Sequence, residues 1–178
     1  TYYQKLCSQL SHCLHSFPSE LNLLTALFNY CKTTPHLIFI SNSLPIRLVN
    51  HYLICPNSHA YHIYCNRGAS GIDGNIATIC GLATATKPGT AIFIVIGDLA
   101  FLHDLNSLAL LQTLGRPIKI IVLNNHGGDI FSCLSIAKSP LTCERYFKQS
   151  HNHNFKAIAD QFQLSYLTEH STNTTAVL

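Results

Sequence analysis

The 178 residues suffice for one domain with a proper core, but only 11% are charged against 47% hydrophobic, where about 25% charge is usual for a free-standing domain. A face covered by partner protein would explain the deficit, and so would a Cys- and His-rich lineage. The net charge of +3 comes from scattered basic residues, which leaves no nucleic-acid footprint. No apolar run reaches the roughly 20 residues that cross a bilayer, and no signal peptide opens the chain.

In chain order, residues 1–17 form an amphipathic Leu/Cys/Tyr helix candidate, read as a lead-in from a preceding domain, with 18–178 as the domain itself. Helix candidates follow near 19–31, 44–52, 73–85, 101–114 and 154–163, the fourth with Phe101, Leu102, Leu105, Leu108 and Leu111 at helical spacing. Between them lie short apolar strand candidates at 37–40, 60–64, 91–96 and 118–123. The last two are apolar on both faces and suit central strands. This alternation predicts an α/β fold with a doubly wound parallel sheet. The chain has no methionine and ends on the polar stretch 171–178, so truncation at both ends is expected.

The eight cysteines lie far apart with no CxxC pair and read as reduced thiols. Cys65 and Cys133 flank motif loops and are expected to be buried spectators. Of the eleven histidines, only His151 and His153 stand close together, too few for a structural zinc site.

Ligands of open parallel sheets bind beyond the carboxyl ends of the strands, and this chain keeps its small polar residues there. Ser41-Asn42-Ser43 follows the first strand and Asn66-Arg67-Gly68-Ala69-Ser70-Gly71 the second. Gly97-Asp98 follows the third, and Asn124-Asn125-His126-Gly127-Gly128 the fourth. Asp98 and Asn125 are separated by one strand–helix–strand unit, so a carboxylate and an amide oxygen reach neighbouring strand ends. With a backbone carbonyl near Gly127 they offer half of an octahedral oxygen shell for Mg²⁺, to be completed by diphosphate oxygens and water. Either motif alone reads as an ordinary strand-end turn; the pair at this spacing reads as a metal site.

These blocks resemble the thiamine-diphosphate enzymes. Within them they are most similar to the menaquinone- and phylloquinone-pathway synthase family that forms 2-succinyl-5-enolpyruvyl-6-hydroxy-3-cyclohexene-1-carboxylate. Asn66 to Gly74 resembles that family's NRGASGIDG block, Gly97-Asp98-Leu99 with Asp104-Leu105-Asn106 its GDL and DLN pair, Asn124 to Ser132 its NNxGGxIF loop, and Asn42-Ser43 with Arg47 its NSxxxR block. His126 and Asp129 depart from the pattern.

The resemblance implies the carboxyl-terminal diphosphate-binding domain of an enzyme that decarboxylates 2-oxoglutarate and adds the remaining four-carbon unit to isochorismate. Asp98, Asn125 and the Gly127 carbonyl would hold Mg²⁺ (or Mn²⁺). Asn42, Ser43, Gly97, Leu99 and Gly128 would approach the diphosphate. Ile72, Ile130 and Phe131 would line the cofactor wall, and a carbonyl near Ser70 would accept from the cofactor's amino group. Arg47 and Arg67 would pair with the distal carboxylate of the substrate, or else with a loop acid such as Asp73.

The glutamate that activates the cofactor would come from a pyrimidine-binding domain of the same or a second subunit. None of this chain's acids sits in a block resembling that domain, so the isolated chain is expected to be inactive. A homo-oligomeric, cytoplasmic enzyme is implied, with a plastid as the alternative location. Three rivals stand beside this reading: another thiamine-diphosphate decarboxylase or synthase acting on a pyruvate-type acid, a non-catalytic remnant that binds a partner, and a plain nucleotide-binding fold, which lacks its glycine signature.

Overall fold

A computed structural model of the chain describes residues 20–32, 35–52, 61–66 and 71–167. The expected lead-in helix 1–17, the stretch 171–178, Arg67, Ser70 and three cysteines (Cys7, Cys13, Cys55) lie outside those residues.

The element order is α1 (Glu20–Tyr30), β1 (His36–Ile40), α2 (Leu44–Tyr52), β2 (Tyr61–Tyr64), α3 (Asn75–Ala85), β3 (Ala91–Gly97), α4 (Asp98–His103), a 3-10 stretch (Leu105–Gln112) and β4 (Ile118–Leu123). After β4 come two 3-10 turns, then α5 (Pro140–Cys143), a π turn (Glu144–Lys148) and α6 (Phe155–Gln161). The four strands are parallel in the order β2-β1-β3-β4.

Alternate strand residues build two cores, one on each face. Ile38, Ile40, Phe93, Val95, Ile121 and Leu123 pack under α1 and α2 with Leu23, Leu24, Leu27 and Val49. Leu37, Phe39, Ile94, Ile96, Ile120 and Val122 pack on the other face with Ile76, Ile79, Phe101 and Phe155. Each such side chain, fully buried, contributes about 1.5–3 kcal/mol. The doubly wound reading therefore holds, with helices on both faces. β4, expected in the centre, is an edge of the sheet among the described residues; its last four residues are nonetheless buried because both faces are covered.

The helix expected over 101–114 is broken at Asp104. There the carboxylate leaves the local helix and serves α3: Oδ2 accepts from Ile76 N at 2.5 Å and Ala77 N at 3.3 Å, and Oδ1 accepts from Ser107 Oγ. α3 starts after Gly74 with no side-chain cap of its own, so Asp104 satisfies its first amides from a distance. At the opposite end of the sheet, the Arg116 guanidinium donates to the carbonyls of Ala83, Thr86, Lys87 and Thr90 and ties the end of α3 to the entry of β4.

The cysteines divide differently from expectation. Cys31, Cys80 and Cys143 are buried, whereas Cys65, just past the end of β2, and Cys133, at the end of the first turn after β4, are exposed. Burial pushes the Cys31 thiol up to about 12 and Cys80 up to about 11.

Candidate functional site

The chain leaves β1 toward one side of the sheet to form β2, and leaves β3 toward the other side to form β4. The carboxyl ends of β1 and β3 therefore face a crevice at the topological switch point. Gly97 pairs with Leu123, so Asp98 and the Asn124-Asn125 pair leave the sheet at one level. A cavity of about 280 Å³ opens there. Ser43, Ile72, Gly97, Asp98 and Leu99 line it from one side; Asn125, Gly127, Gly128, Ile130 and Phe131 line it from the other. Ten of the fourteen anticipated positions thus border one cavity.

Asp98 is 2% exposed and begins α4. Its Oδ1 accepts from Leu99 N at 2.7 Å, and its Oδ2 accepts from Gly127 N at 2.9 Å and lies 3.1 Å from His151 Nε2. Burial pushes the carboxyl above its ordinary value, against those three hydrogen bonds, which pull it down. A nearby cation would favour the charged form that burial penalises. Asn125 supplies a complementary feature. Its Nδ2 donates to Glu20 Oε1 at 3.2 Å, while its Oδ1 is buried and, among the described residues, has no hydrogen-bond partner. An orphaned buried oxygen costs about 1–3 kcal/mol.

Gly97 has an ordinary extended backbone, φ −72° and ψ 156°, so its conformation does not demand glycine. Among the described residues, a Cβ there would meet no atom within 4 Å apart from its own chain neighbours. A buried carboxylate, an orphaned amide oxygen and an open glycine backbone together fit a hard cation carrying phosphate oxygens.

The loop after β4 is shaped by two left-handed residues. His126 (φ 64°) turns the chain while its N–H donates to Asn124 Oδ1 at 3.2 Å, a local side-chain turn. Gly127 has φ 151°, and a Cβ on it would lie 2.7 Å from the Lys148 carbonyl. Beyond it, the stretch from Asp129 to Lys148 departs and returns through a narrow neck. Gly128 N donates to Lys148 O at 2.5 Å, His151 N donates to His126 O at 3.2 Å, and Lys148 pairs with Asp129 at 3.4 Å.

Asn42 does not line the cavity; it is buried, and its Nδ2 donates to the Gly71 carbonyl at 2.7 Å, joining the β1 loop to the block before α3. Ser43 (φ 71°) makes the turn into α2. Arg47 is exposed, lies outside the cavity lining and donates to the Ser43 carbonyl at 2.7 Å. Glu20, Phe147, Gln149 and His151 border the cavity or its loop without belonging to any sequence motif. Glu20 opens α1, and burial raises its carboxyl against the lowering bond from Asn125. An acid at a helix start signals a favourable dipole partner, but nothing local in the sequence links it to Asn125.

The family model for the thiamine pyrophosphate enzyme C-terminal TPP binding domain matches residues 47–177. Over 132 residues the chain is 48% identical to the 2-succinyl-5-enolpyruvyl-6-hydroxy-3-cyclohexene-1-carboxylate synthase of Chlorobium phaeobacteroides, covering 74% of this chain and 22% of that protein. The same-named synthase of Pelodictyon phaeoclathratiforme is 43% identical over 156 residues, 88% of this chain and 26% of that protein. That of Shewanella halifaxensis is 45% identical over 136 residues, 76% and 23% respectively. The chain spans about a quarter of the length of these curated relatives. With its parallel sheet, its switch-point crevice and a match over most of its length, the chain belongs to the C-terminal cofactor-binding domain family of the thiamine diphosphate enzymes.

Proposed function

We propose that the crevice holds the diphosphate end of thiamine diphosphate through a divalent cation, Mg²⁺ or Mn²⁺. The observation that carries this is the buried, unpartnered Asn125 Oδ1 bordering the same cavity as the buried Asp98 carboxylate. Asp98, Asn125 and the Gly127 carbonyl would be the protein's oxygen ligands. Ser43 and the open backbone at Gly97, Leu99 and Gly128 would receive the diphosphate, with Asn42 fixing the β1 loop beside them. Ile72, Ile130 and Phe131 would form the apolar wall, and Ser70 belongs to the same block. When bound, thiamine diphosphate supplies the ylide nucleophile and the electron sink that decarboxylation of a 2-oxo acid needs.

For the whole protein we infer the synthase activity its relatives are named for, by the reaction the motif resemblance implies: decarboxylation of 2-oxoglutarate, then conjugate addition to isochorismate. Arg67, and Arg47 once it leaves the Ser43 carbonyl, would pair with the distal carboxylate. The activating glutamate would come from a pyrimidine-binding domain closing over the cavity, within the chain or from a second copy in a homo-oligomer. One observation favours a second reading, another thiamine-diphosphate decarboxylase or synthase: no Arg or Lys lines the cavity among the described residues.

The test follows carbon dioxide release from 2-oxoglutarate by the full-length protein with Mg²⁺ and thiamine diphosphate, with and without isochorismate. The expected outcome is turnover that requires isochorismate and disappears in Asp98→Ala. Release from pyruvate instead would keep the cofactor and overturn the substrate.

A further inference from the structure

Hydrogen bonding around Asp98 is uneven, and a side chain outside every motif makes it so. Oδ1 accepts once, from Leu99 N; Oδ2 accepts from Gly127 N and faces His151 Nε2 at 3.1 Å. The second ring nitrogen settles the tautomer. The backbone N–H of His153 donates to His151 Nδ1 at 3.3 Å, so Nδ1 carries the lone pair and the ring proton sits on Nε2, aimed at Asp98. The pair is nearly dry, with side chains 7% and 3% exposed. The ring is also held in place: its centroid lies 5.0 Å from that of His153 and 6.1 Å from those of His126 and Phe155, and its own backbone N–H closes the neck on His126.

We propose that His151 is a positioning residue for the cation. Its Nε2–H and the Gly127 N–H saturate Asp98 Oδ2 and fix the carboxylate plane, which leaves Oδ1 as the oxygen presented to the metal alongside Asn125 Oδ1. The inference rests on the metal reading above and adds an atom assignment and a residue that no motif contains. A ligand held by an outer hydrogen-bond partner binds its metal more tightly, and loss of such a partner costs about 10–100-fold in affinity.

The test measures Mg²⁺ binding by calorimetry, and Mn²⁺ binding by electron paramagnetic resonance, in the full-length protein with thiamine diphosphate present. His151→Phe keeps a ring against Phe155 and removes the donor; His151→Gln keeps an N–H. The expected result is a Kd for the cation raised about 10–100-fold in His151→Phe, partial recovery in His151→Gln, and kcat restored in both at saturating cation. If His151→Phe fails to fold, His151→Gln against His151→Ala carries the comparison. Equal cation affinity in the wild type and the donorless variant, with only the melting temperature lowered, would overturn the positioning role alone. Absence of cation binding by the wild type would instead overturn the metal reading beneath it.

Discussion

The strand ends at Gly97 and Leu123 and the excursion from Asp129 to Lys148 border the same cavity, yet they are held by different means. The strand ends inherit their position from the sheet: their neighbours are fully buried on both faces, Asp98 and Gly127 are tied by a buried hydrogen bond, and Asn124 by a half-buried one. The excursion is a series of short 3-10, α and π turns in which only Cys143 is buried. It presents Leu134, Leu141, Tyr146 and Phe147 to the outside, Leu141 at 88% exposure. Rigid backbone thus carries the groups proposed to hold charge, while the wall beside them displays apolar surface of the kind another protein layer covers.

The contrast can be broken most forcefully at its tight side. Gly127→Ala would force a Cβ against the Lys148 carbonyl in a backbone conformation that L residues avoid, at a cost of about 1–3 kcal/mol. A drop in the urea unfolding midpoint is expected; an unchanged midpoint would mean the neck is slack.

A smaller effect sharpens the electrostatic side. Burial raises the Glu20 carboxyl above its ordinary 4.5, so ionising it costs more in the folded state than in the unfolded one. The penalty is absent below that ordinary value, grows as pH rises through the raised one, and is complete above it. Without added cation, Glu20→Gln should therefore match the wild type's melting temperature near pH 4 and exceed it at neutral pH. A melting profile against pH checks this, and a loss of stability at neutral pH would refute it.

The smallest effect on folding belongs to the exposed wall. Leu141→Ser should leave stability within about 0.5 kcal/mol of the wild type, while weakening assembly of the full-length protein in sedimentation. A substantial loss of folding stability would show instead that the excursion packs onto its own domain.

The sheet was legible in the sequence because buried parallel strands are continuous apolar runs, and 118–123 coincides with β4. The strand-end residues were legible too, since few side chains other than Asp and Asn suit that position and only glycine leaves the backbone open. What escaped depends on partners distant in sequence. Asp104 sits mid-way through a good helical pattern, yet the helix breaks there and its carboxylate serves the amides of Ile76 and Ala77, nearly thirty residues earlier in the chain. Glu20 and His151 meet Asn125 and Asp98 through the fold, with no local pattern to announce them. The motif around Arg47 likewise carries no signal for the bond its guanidinium makes to the Ser43 carbonyl one turn back.

The pinched neck has a consequence for how this part of the chain can change. Gly128 meets Lys148 and His126 meets His151, so the polypeptide enters and leaves the excursion at nearly one point. A closed loop of that kind can be lengthened, shortened or exchanged while its two endpoints stay where they are. The turns from Cys133 to Tyr146, outside the motif block that ends at Ser132, are therefore where length and sequence can change at least cost. The exposed surface can diversify there without moving Ile130, Phe131 or the strand ends that carry Asp98 and Asn125.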